Sequence, residues 1–108
     1  MKNLKINYMN TIQSEINNLS PEKLMTLFHI IFCLNCYSLF FMTEESHMKF
    51  IQSYYQFPTI RKPEIFKSFL TQSIKEYVFE FRYPNIIKII DMINDNYPFA
   101  EITKTFVA

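Results

Sequence analysis

Apolar residues recur along this chain at helical spacing, broken at intervals by strong start and stop signals. Leu4, Tyr8, Ile12, Ile16 and Leu19 fall three or four apart. That period predicts a short amphipathic helix over residues 3–18, closed by Asn17-Asn18. Ser20-Pro21-Glu22 then writes a second start: a hydroxyl to cap free amides, a proline suited to the first turn, and an acid for the positive end of the dipole. This second helix is expected to run from Pro21 to about Met42. Thr43, Glu44 and Glu45 repeat the signal and predict a third helix to about Gln56.

The segment Phe57 to Pro63, bracketed by prolines, reads as a linker. Pro63 and Glu64 open a fourth helix with Ile65, Phe66, Phe69, Leu70, Ile74 and Tyr77 on its buried face. Pro84 opens a fifth, in which Ile86, Ile87, Ile89, Ile90, Ile93 and Tyr97 cover one broad side and Lys88, Asp91 and Asp95 lie opposite. Two stretches fit a different period. Tyr77, Phe79, Phe81 and Tyr83 alternate with Val78, Glu80 and Arg82, and the tail 101–107 is rich in β-branched residues. The expected fold is therefore all-α, a bundle of about five helices around a central apolar one, forming a single domain over 1–108. The alternative is α+β, with a two-stranded sheet from 77–83 and 101–107.

The run Leu24 to Met42 holds nineteen residues without a formal charge, which meets the length of a membrane span. Lysines precede it and Glu44 and Glu45 follow, an arrangement that would place the N-terminus inside. Thr26, His29, Asn35 and Ser38 would face lipid awkwardly. The amphipathic neighbours also need an apolar partner. A buried core helix is the favoured reading, with a single-span membrane protein as an alternative. Four short helices give this one incomplete cover, so its bare side is where a partner, a second copy or a membrane is expected.

Composition sharpens the exclusions. The chain has 108 residues and no glycine, so neither a phosphate-cradling loop nor a dinucleotide fingerprint can be written in it. Tight primed hairpins become improbable too, although Asn94-Asp95-Asn96 can supply a left-handed residue. The abundance of Phe, Tyr, Met, Ile, Asn and Lys points to an AT-rich genome. A net charge of +1 spread along the chain lacks the footprint of a DNA-binding face. The first residues are not patterned as a signal peptide, and a cytoplasmic location is the default.

Candidate chemistry is sparse. His29, Cys33 and Cys36 lie at i, i+4 and i+7, within an arc of about 60° on a helix, and form a weak candidate for a zinc, copper or iron site. One straight helix cannot surround an ion, so a further ligand would have to come from elsewhere, and His47 is the other histidine. The simpler expectation is two buried cysteines filling space beside a hydrogen-bonded histidine. Glu44 and His47 form one Glu-x-x-His pair where a di-iron bundle needs two, and the ordinary reading is a capping acid beside a surface histidine. A thiolate pairing of either cysteine with His29 is opposed by Ile30, Ile31, Phe32 and Leu34, which should raise a thiol pKa. No catalytic residue and no cofactor is expected.

Contact with other macromolecules remains. Tyr54, Tyr55 and Phe57, with Arg61 and Lys62, crowd rigid rings and cations where a helix meets the linker, and are the expected partner-binding residues. Lys49 and Lys67 extend them into a possible basic-aromatic patch for nucleic acid. The expected function is a non-catalytic helical protein that binds another protein, suited to an inhibitor or regulator carried by a phage or mobile element. A homodimer through the 21–42 helix is compatible with it. A DNA-binding regulator acting as a helical dimer is the alternative from another class.

Overall fold

The computed structural model describes residues 2–56 and 62–107. Among them stand six α-helices and one 3-10 turn: α1 (Lys2–Asn18), α2 (Pro21–Ser38), α3 (Glu44–Tyr54), α4 (Pro63–Tyr77), the turn Glu80–Arg82, α5 (Tyr83–Asn94) and α6 (Phe99–Phe106). The fold is all-α, with no strand among the described residues.

Ser20 caps α2 as its position predicts, its Oγ accepting from the Lys23 amide at 3.3 Å. Pro21 occupies the first turn. Thr43 does the same for α3, accepting from the Ser46 amide at 3.2 Å. Asn96 takes the left-handed conformation at φ 62°. Its amide and that of Tyr97 donate back to the Ile93 and Met92 carbonyls, which closes α5 as a Schellman motif.

The long apolar run is not one helix. α2 stops at Ser38, and Leu39 turns left-handed at φ 51°. The cause is Asn35, which is fully buried. Its Oδ1 accepts from the amides of Phe41 and Met42 at 2.7 and 3.2 Å, so a side chain supplies what a further turn of helix would have supplied. Residues 39–42 form a corner that buries Phe41 and Met42. Among the described residues no helix is long and apolar enough to cross a membrane. The other polar residues of the run are accounted for locally. Thr26 and Ser38 donate to carbonyls four residues back, and His29 faces solvent.

The sheet expected from 77–83 and 101–107 is absent. Tyr77 ends α4 and Val78 is extended. The Phe79 amide then donates to the Phe41 carbonyl at 2.8 Å, before the 3-10 turn leads into α5. Alternation here comes from a helix end followed by a tight turn, not from pleating. The tail is helical because Ile102 and Phe106 sit on one face, with Ile102 fully buried. Thr103 and Thr105 satisfy their hydroxyls on carbonyls of the preceding turn.

α2 is central: it packs against α3, α4, α5 and α6, while α1 lies across α5 and α4. Leu24, Leu27, Phe28, Ile30, Ile31 and Leu34 meet Ile12 and Ile16 of α1 and the isoleucines of α5 in one buried cluster. At the other flank Phe28 stacks on Tyr54 and Phe50, with centroids 4.0 and 5.0 Å apart, and Phe66 and Phe69 extend the aromatic layer. Three residues assigned to buried faces are instead exposed: Leu4, Ile65 and Tyr97. Leu4 and Ile65 lie within a turn of their helix starts, and Tyr97 lies beyond the end of α5, where the core no longer reaches.

Candidate functional site

Every side of α2 but one is covered. The uncovered side carries His29, Cys33, Cys36 and Tyr37, all exposed, and both cysteines are free thiols. This corrects the expectation that the cysteines fill the core: the residues that point inward are their neighbours Leu34 and Asn35.

The histidine that meets a cysteine is His47, not His29. Thr43 starts α3 so that the helix runs back along α2, and His47 falls on its inner face with only 5% of its surface exposed. The Nε2 atom lies 3.3 Å from Cys36 Sγ, and the ring sits against Phe32 with centroids 5.5 Å apart. Nδ1 is buried without a hydrogen-bond partner. Burial depresses the His47 pKa below its ordinary value, because an imidazolium there would lose its hydration. Burial likewise raises the Cys33 thiol, and the nearby charge of a Cys36 thiolate adds to the rise. The surface histidine expected beside a capping Glu44 is thus a buried one, in contact with a thiol. Among the described residues no group of three or more His, Cys, Asp or Glu side chains is arranged to hold a metal ion.

Two shallow hollows flank the open face. Toward α6 lies one of about 340 Å³, lined by Cys33, Leu34, Tyr37, Phe99, Lys104 and Val107. Tyr37 is 75% exposed beside it and Phe99 41%. Toward α3 lies a smaller one of about 170 Å³, lined by Phe28, His29, Phe32, Ile51, Tyr54 and Tyr55.

Of the residues expected to bind a partner, Tyr54 is held in the aromatic layer and donates its hydroxyl to Met25 Sδ at 4.0 Å. Tyr55 projects into solvent, 77% exposed, with its ring edge-on to Tyr54. Lys62 is exposed at the start of α4. Phe57 and Arg61 lie outside the described residues. The two lysines expected to extend the patch each meet a carboxylate. Lys49 pairs with Glu45 at 3.5 Å. Lys67 reaches Glu64 at 3.3 Å and the Asn17 carbonyl at 3.0 Å, tying α4 to α1.

No family model matches the chain, and no curated protein or solved structure matches it.

Proposed function

We propose that this chain is a non-catalytic helical binding protein that acts by contact with another protein, and that the open face of α2 is its contact surface. The observation that carries the reading is the line His29, Cys33, Cys36 and Tyr37 left in solvent on a helix otherwise enclosed, with Tyr55 and Phe99 bordering the hollows on either side. Exposed rings beside apolar hollows offer rigid contact area, and such rings tend to dominate interface energies. A fitting partner brings apolar side chains for the hollows and an acidic group for Lys104, which is exposed at the rim of the larger one. Tyr55 and Lys62 keep the role expected of them, while Tyr54 supports the surface from beneath.

The nucleic-acid alternative draws less support, since Lys49 and Lys67 already face carboxylates. The absence of glycine and the bias to residues with AT-rich codons suit an inhibitor or regulator encoded by a phage or mobile element and directed at a host protein.

The test is affinity capture from the source cells with the intact chain, with Tyr37→Ala and Phe99→Ala, and with Phe81→Ala as an exposed control that lines neither hollow. A stoichiometric protein retained by the wild type and Phe81→Ala, and lost from the other two, supports the proposal. A loss of binding energy of about 2 kcal/mol or more is expected at an anchoring ring. Light scattering that finds a monomer, together with no stoichiometric partner, sinks it. A dimer disrupted by Tyr37→Ala would reassign the surface to self-association.

A further inference from the structure

We propose that Cys33 and Cys36 form a reversible dithiol–disulfide site that reacts with small-molecule disulfides, with Cys36 as the attacking thiol and His47 as the acceptor of its proton. The two cysteines stand three residues apart on one exposed face of α2. Cys36 alone touches the imidazole, at 3.3 Å. Residues so spaced on a helix have Cβ atoms about 5–6 Å apart, whereas a disulfide needs about 3.5–4.5 Å. Closing the bond therefore requires the last turn of α2 to distort locally. The helix ends at Ser38, two residues past Cys36, so the distortion is confined to its last turn. A bond closed under strain is also more easily reduced, which makes the change reversible.

The division of labour follows from the surroundings. Of the two thiols, Cys36 is the one with a base within hydrogen-bond distance. The Nε2 atom of His47 lies within reach of the Cys36 proton, and because burial disfavours the imidazolium the proton rests there only until the leaving thiolate takes it back. Partial desolvation, and then the neighbouring Cys36, raise the Cys33 thiol above its ordinary value, which suits the second step and not the first.

In that first step the Cys36 proton passes to His47 Nε2 and the sulfur attacks one sulfur of the small disulfide. The S–S bond of the reagent breaks. One half leaves as a thiolate and recovers a proton from His47, and the other stays on Cys36 as a mixed disulfide. Cys33 then loses its proton to solvent and attacks Cys36 Sγ. The second half departs as a thiolate and is protonated in turn. Two electrons and two hydrogens pass from the protein to the reagent, giving one protein disulfide and two small thiols. Asn35 lies between the two cysteines and holds the corner through Phe41 and Met42, so closure also loads the link between α2 and α3.

The reagent for the test is oxidised glutathione, added to the reduced full-length chain and followed by intact mass. The wild type should accumulate a monomeric species lighter by two hydrogens. Cys33→Ser should instead trap a single glutathione on Cys36. Cys36→Ser should take up glutathione on Cys33 about tenfold more slowly. His47→Gln in the Cys33→Ser background should slow adduct formation by a similar factor, provided its helical circular dichroism is intact. If that variant unfolds, the two single cysteine variants, both of which keep His47, decide the matter. The proposal fails if the wild type carries two glutathiones without closing, if it cross-links only between chains, or if the two cysteines react at equal rates.

Discussion

Asn35 holds the corner between α2 and α3. Its Oδ1 accepts from the amides of Phe41 and Met42, both fully buried residues. Asn35→Ala leaves both donors unpaired, at about 1–3 kcal/mol each. The expected result is a urea midpoint lowered by at least about 2 kcal/mol equivalent, with an unchanged m-value. Asn35→Ala retaining wild-type stability would mean that the corner is held by something else. His47 gives a second residue-scale expectation. Its folded pKa lies below the ordinary 6.5, so between the two values the unfolded chain binds more protons than the folded one. The stability that comes from keeping the ring neutral is complete above that ordinary value and is lost as pH falls through it toward the folded pKa. Melting temperature should thus drop across this window in the wild type and drop less in His47→Gln. Parallel pH curves for the two proteins would refute the assignment.

At the scale of elements, the starts of helices were legible in the sequence and several of the ends were not. Ser20-Pro21 and Thr43 announce α2 and α3 because capping is a local event, chosen by residues within one turn. The stop at Ser38 is invisible to periodicity. Asn35 sits in a run apolar enough to continue, and only the tertiary burial of Phe41 and Met42 makes its amide acceptor decisive. The same limit applies at 77–83, where alternation is equally compatible with a strand and with a helix end, turn and helix start. The tie from Phe79 to Phe41, thirty-eight residues apart in the chain, is what decides it. The pairing of Cys36 with His47 is illegible for the same reason, since it depends on α3 folding back after the corner, whereas His29 was the nearer histidine on the same stripe. Leu39 supplies an element-scale test. It holds a left-handed conformation that costs an L-residue about 1–2 kcal/mol, yet nearly half its surface is exposed. Leu39→Gly should stabilise the protein by about 0.5–1 kcal/mol after the added freedom of the unfolded chain is subtracted, and Leu39→Ile should destabilise it. Chemical denaturation of the two variants side by side checks the sign.

For the whole molecule, the core and the surface separate cleanly. Ile30 and Ile90 are fully buried, and truncating either to Ala should cost about 2–5 kcal/mol. Tyr37→Ala and Tyr55→Ala remove rings that stand in solvent and should change stability by no more than about 0.5 kcal/mol. A thermal denaturation series would show this contrast. A large loss of stability at Tyr37 would mean that the ring belongs to the core and not to a contact surface. The way α1 and α2 are covered has a further consequence, for the order of events during synthesis. α1 rests on α4 and α5, and α2 depends on α5 and α6 for much of its cover, so the early helices are enclosed by the late ones. As the chain leaves the ribosome, Ile12, Ile16, Leu24 and Ile31 must wait for partners that lie some fifty-five to eighty residues downstream. Neither half is then a folding unit on its own. The nascent chain presents an apolar surface to chaperones until α5 and α6 have emerged, and slower refolding than in a bundle of sequential hairpins follows from the same long-range closure.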